Sequence, residues 1–482
     1  MLAVVHVLGS MLMLFSITYL MPVATSLIYG DGQLLRFVAA ALACFGFGAV
    51  LWSATRRSKR ELRSRDGFLL VSLGWTLMSA IATVPLLMAL PGLSFTDAFF
   101  ETMSGLSTTG ATVLIGLDSL PPSINLWRHA LCWYGGMGII VLVVAILPLL
   151  GVGGMQLYKA ETPGPVKNEK LTPRITQTAK ALWFIYFLIT VACIVSLRVA
   201  GMNWFDAVCH AFAAMALGGF STHDASVGYF NSVPIEFVLI VFMLIAAMNF
   251  ARHFIAWQQK SLRTYATDSE AKAMLTVIGL STLGLSLYVW HEGVYAGFPE
   301  SLRHVAFNLV SIATDCGFVS QDYAVWPVFA PMWILMLSCY CANVGSTGGG
   351  IKMFRTLVLF RQAGRELLLL VHPQAVRPVK IAGQVVQNQI VFAVLAFVVL
   401  YFGTVVVLTF SLLVSGLDFV SAFSAIIACI NNAGPGLGIV GPADNYQVLT
   451  DVQTWVCSLA MLLGRLEIFS LVVLFTPSFW RK

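Results

Sequence analysis

In four short segments of the sequence a glycine follows two residues that, together with it, could bind a cation through their backbone oxygens. The candidate ligands in each segment are Thr108, Thr109 and Gly110; Leu217, Gly218 and Gly219; Asp315, Cys316 and Gly317; Asn432, Ala433 and Gly434. Carbonyl oxygens can replace the hydration shell of a cation when several chain segments bring them to one axis. Glycine suits such a ring because it adopts backbone angles that a β-carbon forbids. The segments therefore predict a cation filter with one glycine from each segment on the same level.

The spacing around these segments repeats along the chain. A four-residue stretch begins 13 residues before each glycine, at Asp97, Asp206, His304 and Ser421, and successive glycines are 109, 98 and 117 residues apart. Each segment lies between two long apolar runs and is too short to cross a bilayer. Such a fourfold repeat favours pseudo-symmetry about an axis along the membrane normal.

The depth of the four segments in the membrane decides what they can do. Irregular backbone at membrane depth is tolerated only where protein buries it or where it lines a water-filled path. The half-helices before the glycines would direct their partially negative C-terminal ends towards a cavity, which favours cations over anions. The alternative is that all four segments are ordinary glycine-containing loops outside the membrane.

Composition sets the elements that must position the filter. The chain of 482 residues is 58% hydrophobic and only 10% charged, with a mean hydropathy of +0.85. This is too little polar surface for a water-soluble protein of this size, so the chain must face lipid. The apolar runs predict an all-α integral membrane protein with ten transmembrane helices, at about 2–27, 35–54, 68–90, 131–150, 181–200, 235–257, 273–290, 326–342, 390–414 and 455–475.

The predicted organisation is two leading helices followed by four repeats of membrane helix, pore loop and membrane helix. The units are 1–66 for the two leading helices, then 67–160, 161–270, 271–380 and 381–482 for the four pore repeats. The third repeat contains a glycine-rich stretch at 345–352, which we expect to be an intramembrane gating loop.

The basic residues predict the orientation in the membrane. They cluster in 56–65, 159–180, 252–272, 355–380 and 481–482, while the other connections hold only Arg36, Arg128, Arg198 and Arg303. The positive-inside rule then places both termini in the cytoplasm. The clusters are short, adjoin a span and lack interleaved aromatic residues, which argues against nucleic-acid binding.

The sequence also bears on catalysis and on redox chemistry. It lacks the HExxH, Walker and GxSxG patterns and any intramembrane Asp/His cluster, which argues against an enzyme. No βαβ pattern is present, so we expect no bound organic cofactor in this chain. Nine cysteines are scattered through or beside the apolar runs without CxxC spacing, as expected of small buried hydrophobic residues.

Several long motifs resemble the TrkH branch of the Trk/Ktr/HKT superfamily of potassium transporters. Besides the four filter segments, they are GGMGIIVLVVAILPLLGVGGMQLYKAE at 135–161, GGFSTHDASVGYF at 218–230, GSTGGGIK at 345–352, NNAGPGLG at 431–438, GRLE at 464–467 and LFTPSFWR at 474–481. The resemblance implies potassium uptake across a bacterial inner membrane, with K⁺ as the transported ion. It also implies a homodimer with one pore per subunit, and a cytoplasmic nucleotide-binding partner ring, TrkA, that gates the pore. Glycine at Gly110, where sodium-selective members carry serine, implies potassium selectivity.

Two gate elements follow from the resemblance. The first comprises Gly345, Ser346, Thr347, Gly348, Gly349, Gly350 and Lys352. Three consecutive glycines would not sustain a helix, because each costs about 1 kcal/mol relative to alanine, so we expect a flexible plug under the filter. The GGGIK string only faintly resembles a phosphate-binding loop, since no strand precedes it.

The second gate element is Arg465, which lies inside the last predicted span. An unpaired charge facing lipid is costly, so the side chain should face the pore or a buried partner. The resemblance implies a pore-lining electrostatic barrier. The alternative is a structural ion pair with Glu467 or another carboxylate.

Asp315 departs from the small neutral residues that are common at this position in the family. It either points behind the filter and accepts hydrogen bonds there, or faces the outer mouth and attracts cations.

Coupling of potassium entry to protons or sodium also stays open. Broken segments and intramembrane charge fit such a symporter as well as a channel. However, the spans contain few carboxylates for a proton relay, Glu467 being the main one.

Overall fold

The computed structural model describes residues 2–57, 64–141 and 171–481. The α-helices of twelve residues or more are Leu2–Phe15, Leu34–Thr55, Ser64–Ala82, Phe95–Leu106, Pro122–Val141, Leu171–Val199, Trp204–Ala216, Val233–Ala246, Ser269–His291, Phe298–Ala313, Met353–Val371, Asn388–Val414, Phe419–Asn431 and Asp451–Arg465. The shorter ones are Leu20–Tyr29, Val84–Ala89, Phe250–Gln259, Arg263–Ala266, Phe329–Ser338, Ile468–Val472 and Pro477–Trp480. Strands Lys380–Ile381 and Gln384–Val385 pair as a small antiparallel hairpin.

Parts of four predicted features lie outside the described residues. These are the motif at 135–161 after its first seven residues, the end of the span at 131–150, the boundary between repeats one and two at 160/161, and parts of the basic stretches at 56–65, 159–180 and 481–482.

The apolar helices of the described ranges correspond to the predicted spans. Six are long and apolar enough to cross a membrane as single units, namely Leu2–Tyr29, Leu34–Thr55, Arg65–Ala89, Ala179–Val199, Ser269–His291 and Asn388–Val414. Two more consist of bent helix pairs. The span predicted at 131–150 begins within Pro122–Val141, and the one at 326–342 contains a helix of only ten residues, Phe329–Ser338. The prediction of an all-α membrane protein is confirmed.

Two spans that we predicted as continuous are broken, so their continuity was wrong. Val233–Ala246 and Phe250–Gln259 meet at 95°, and Asp451–Arg465 and Ile468–Phe475 meet at 111°. At the first break the backbone carbonyls of Ala246 and Ala247 accept hydrogen bonds from the chain around 343–347. Hydropathy does not report such a break, because each bent pair taken together is still long and apolar enough to pass as one span.

The two leading helices pack tightly on each other and on the first repeat. A β-carbon on Gly9 would lie 2.7 Å from the carbonyl oxygen of Gly48, so small residues allow the helices to approach closely. Tyr19 stacks on Trp127 with ring centroids 4.4 Å apart. The leading helices thus support the first repeat from outside rather than entering the centre of the molecule.

Four half-helices occupy the centre, and most of their residues are buried, above all towards their C-terminal ends. They are Phe95–Leu106, Trp204–Ala216, Phe298–Ala313 and Phe419–Asn431, called half-helices 1 to 4 below. Side chains of Ser94, Asn203 and Asp418 cap three of them by accepting a hydrogen bond from the backbone three residues on. This cap explains why the repeated stretches begin at Asp97, Asp206 and Ser421. Half-helix 3 starts earlier instead, with proline in its first turn, so His304 lies in its interior.

Candidate functional site

All four half-helices end in the same backbone motif. The residue two before each glycine adopts the left-handed conformation: φ is 54° at Thr108, 55° at Leu217, 66° at Asp315 and 58° at Asn432. The next residue then donates its backbone N–H to the carbonyl five residues earlier, at 2.8–2.9 Å, in Thr109 to Ser104, Gly218 to Ala213, Cys316 to Ser311 and Ala433 to Ala428. This is a Schellman cap. The structure therefore gives the four segments a common register despite their different side chains.

The four glycines form a closed ring, called the glycine ring below. A β-carbon on each glycine would lie no more than 2.8 Å from the carbonyl oxygen of the residue before the next glycine in the ring. The pairs are Gly110 with Gly218, Gly219 with Cys316, Gly317 with Ala433, and Gly434 with Thr109. The last pair returns to the first segment, so the four segments surround one axis in chain order. All four glycines also have positive φ, between 50° and 93°.

One face of the glycine ring opens into a vestibule. All four glycines line it, together with the polar side chains of His223, Asp224 and Asp444. His223 hydrogen-bonds Asp118 at the rim. Partial burial acts to raise the pKa of Asp118, but hydrogen bonds from His223 and the Asp224 backbone outweigh it, so the net pKa lies below the usual value. The rim therefore carries negative charge, which attracts cations.

A buried ion pair stabilises the wall of the vestibule. Arg128 Nε lies 2.7 Å from Glu101 Oε1, and both side chains are 1% exposed or less. Glu101 also accepts a hydrogen bond from the backbone of Val113, and Arg128 donates to the carbonyl of Ser221. The pair thus joins the chain that leaves segment one to the chain that leaves segment two. Sequence reasoning missed it by placing Arg128 in a connection, whereas it lies in the helix Pro122–Val141.

We expect Glu101→Gln to destabilise the protein by about 3–5 kcal/mol, because it leaves the buried Arg128 charge without its counter-charge. Thermal unfolding in detergent measures this. The matched control is Glu236→Gln, whose partner Arg303 is 25% exposed and can be hydrated, so the loss should be smaller. Equal melting temperatures for Glu101→Gln and the wild type would contradict the role of the pair.

The intramembrane loop, residues 345–352, lies against the C-terminal ends of three half-helices. Thr347 Oγ1 donates to the carbonyl of Met215 in half-helix 2 at 3.1 Å. A β-carbon on Gly348 would lie 2.9 Å from the carbonyl oxygen of Thr314, and one on Gly349 would overlap the carbonyl oxygen of Asn431. Glycine is required here because the loop backbone packs directly on the ends of half-helices 3 and 4.

Arg465 connects this loop to the first repeat. Its Nη1 donates to the carbonyl of Thr347 at 2.9 Å and its Nη2 to the carbonyl of Gly135 at 2.7 Å, and the residue is 3% exposed. Glu467 instead pairs with Arg355 at 2.8 Å. The alternative of an Arg465–Glu467 pair was therefore wrong, because the chain turns sharply between the two residues and Glu467 has φ of 54°.

Asp315 points behind the glycine ring, which is the first of its two predicted positions. Its Oδ2 accepts a hydrogen bond from the backbone N–H of Gly349 at 3.0 Å, and the side chain is fully buried. The residue does not line the vestibule. The structure therefore places Asp315 between the third glycine segment and the loop at 345–352.

Comparison with known proteins shows what this architecture is similar to. The family model described as TrkH, a cation transport protein, matches residues 33–482. The chain belongs to the TrkH family. Among its relatives, the Trk system potassium uptake protein TrkH of Escherichia coli K12 is 45% identical over 481 residues, covering 100% of this chain and 99% of that protein. TrkH of Vibrio parahaemolyticus is 47% identical over 483 residues, with the same coverage.

A solved structure and a more distant TrkH-family relative agree with this assignment. The crystal structure of the potassium transporter TrkH from Vibrio parahaemolyticus has a TM-score of 0.92 and 44% identity, and the match covers 100% of this chain and 99% of that one. The Trk system potassium uptake protein TrkG of Escherichia coli K12 is 40% identical over 482 residues. The names of these relatives describe transport rather than catalysis.

Proposed function

We propose that this chain takes up potassium across the bacterial inner membrane through the glycine ring. The observation that supports this most strongly is the closed cyclic contact of Gly110, Gly219, Gly317 and Gly434 with the carbonyls of the neighbouring segments. It creates one axis surrounded by backbone oxygens at the inner end of an acidic vestibule. K⁺ is the ion that suits such a site, because it sheds its hydration shell to carbonyl oxygens. The names of the relatives also specify potassium.

The intramembrane loop and Arg465 form the proposed gate. The loop contacts half-helices 2, 3 and 4, and Arg465 donates to both the loop and Gly135, beside the end of half-helix 1. Together they cover the four half-helix ends on the face opposite the vestibule. A cation leaving the filter would meet both the loop backbone and the Arg465 charge, so this arrangement represents a closed gate.

The remaining parts of the proposal concern assembly and orientation. We propose a homodimer with one pore per subunit, cytoplasmic termini, and gating by a nucleotide-binding ring of the TrkA type on the cytoplasmic side. We also propose two leading helices and four pore repeats with the boundaries predicted from the sequence. Support for the repeats comes from the four identical half-helix ends.

A conductance is favoured over ion-coupled symport by the pairing of three carboxylates with arginines. Glu101 is paired with Arg128, Glu236 with Arg303, and Glu467 with Arg355. Carboxylates held by arginines make poor proton carriers, because protonation would remove the counter-charge of the guanidinium.

Growth of a bacterial strain that lacks its own potassium uptake tests the proposal. The chain should restore growth in low-potassium medium when the TrkA-type partner is also present, and give a weaker rescue without the partner. Absence of rescue in both cases, with the protein present in the membrane, would contradict potassium uptake.

A further inference from the structure

A single peptide group of the intramembrane loop lies between the side chains of Asp315 and Lys352. Its carbonyl, that of Gly348, accepts a hydrogen bond from the ammonium of Lys352. Its N–H, that of Gly349, donates to the carboxylate of Asp315 at 3.0 Å. A peptide group polarised from both ends makes each of its hydrogen bonds stronger, because the dipole is aligned with both charges.

The carboxylate has little else to stabilise it. Asp315 is fully buried, and its Oδ1 has no hydrogen-bond partner within the described ranges. Burying an ionised carboxylate is costly unless nearby charge and hydrogen bonds compensate. Lys352 supplies that charge, since the two groups interact electrostatically although no direct ion pair joins them in the described part of the chain. The peptide group is therefore the physical link between the two side chains.

Other charged groups also face Lys352. Glu467 attracts it, while Arg465 and Arg355 repel it. Glu467 is held by Arg355, and Glu270, which also acts on Lys352, accepts a hydrogen bond from the backbone N–H of Val344. Asp315 is the acidic group that reaches Lys352 through the Gly348–Gly349 peptide.

The position of Asp315 connects this link to the glycine ring. It is the left-handed cap residue of segment three, and the next residue, Cys316, contributes a carbonyl to the glycine ring contacts. At the equivalent position of segment four, Asn432 donates to Met461 and Thr109 instead, and segment two has the apolar Leu217. Segment three alone therefore presents a charged acceptor to the loop.

We propose that Asp315 and Lys352 form a latch that holds the intramembrane loop in the closed position through the Gly348–Gly349 peptide. The latch rests on the proposed function and adds a regulatory link between the filter and the gate. Asp315 is a positioning residue in this role, because it acts on the ion path through the loop and not by binding the ion. Segment three is thus the part of the glycine ring that is linked directly to the proposed gate.

Radioactive rubidium uptake into liposomes containing the purified full-length protein, without a cytoplasmic partner, tests the latch. We expect Asp315→Asn to raise basal uptake on the order of tenfold, since hydrogen bonds to charged groups are worth about a factor of ten or more. The basal uptake of Asp315→Glu should be closer to the low wild-type value than that of Asp315→Asn. Rubidium-over-sodium discrimination should stay unchanged, because the ring carbonyls are not altered.

Lys352→Gln is the second variant and keeps the test decisive if Asp315→Asn does not elute as a folded dimer or monomer. It should raise basal uptake by a similar factor. The double variant should not add a further increase of about tenfold to the larger of the two single effects. Asp322→Asn is the matched control. It removes an acid of the same repeat that only caps the turn at Ala324, and it should behave like the wild type.

Three outcomes would count against these ideas in distinguishable ways. Wild-type basal uptake in both folded single variants would overturn the latch while leaving the proposed function intact. A changed rubidium-over-sodium ratio in Asp315→Asn would overturn the positioning role and make Asp315 an ion ligand. If no protein carried rubidium, even with the cytoplasmic partner added, the proposed function would fail and the latch with it.

Discussion

Replacing Gly110 by serine is expected to reduce potassium-over-sodium discrimination by about tenfold or more. At Gly110 φ is +80°, and a β-carbon there would overlap the carbonyl oxygen of Gly218 in the next segment. The strain of a β-carbon at such an angle is about 1–3 kcal/mol. Displacement of the Gly218 carbonyl would relieve this strain. Relief of about 1.4 kcal/mol corresponds to about a factor of ten in the affinity for potassium relative to sodium. Potentials measured with potassium on one side and sodium on the other report the change.

The control for this substitution is Gly92→Ser. Gly92 has a similar φ of +94°, but no atom lies within 4 Å of a β-carbon built there. It therefore carries the same backbone strain without contact to the glycine ring, and selectivity should stay at the wild-type value. If Gly110→Ser discriminated as well as the wild type, the register assigned to the filter would be wrong.

Gly349→Ala is expected to raise the basal potassium flux by roughly tenfold to a hundredfold while leaving selectivity unchanged. The added methyl would overlap the carbonyl oxygen of Asn431, so either the loop or the end of half-helix 4 must move. Overpacking of this kind costs typically about 1–3 kcal/mol, which is about a factor of 5 to 140 in an equilibrium constant and brackets the expected change. The cost falls on the closed state, in which the loop contacts Asn431. Flux into liposomes without a cytoplasmic partner measures the effect.

Gly364→Ala is the matched control for the loop variant. Gly364 lies in the helix Met353–Val371, with no atom within 4 Å of a β-carbon, so alanine should fit and flux should not change. A loss of potassium selectivity in Gly349→Ala would show that the loop belongs to the filter. Wild-type flux in the same variant would show that contact with Asn431 does not keep the gate closed.

The common register of the four glycine segments could be predicted from the sequence because their constant 13-residue offset reflects a constant local motif. The 13 residues before each glycine contain one helix, and the Schellman cap that ends it depends on local backbone geometry. Helix caps at Ser94, Asn203 and Asp418 are also sequence-local. The earlier start of half-helix 3 escaped notice because its first turn uses proline rather than a capping side chain.

The contacts of the loop at 345–352 and of Arg465 could not be predicted because they join distant parts of the chain. The break after Ala246 is stabilised by hydrogen bonds from residues about 100 positions away. Arg465 and Glu467 are two residues apart, but a bend of 111° lies between their helices, and each finds a different partner. The direction of Asp315 likewise depends on where the intramembrane loop lies.

The reversal potential of the purified chain in a planar bilayer tests the central claim most directly. With a potassium gradient across the membrane, the current should reverse at the potassium equilibrium potential, whatever the pH and the sodium concentration on either side. A reversal potential that shifts with the proton or sodium gradient, or that is the same for potassium and sodium, would contradict a selective potassium conductance through the glycine ring.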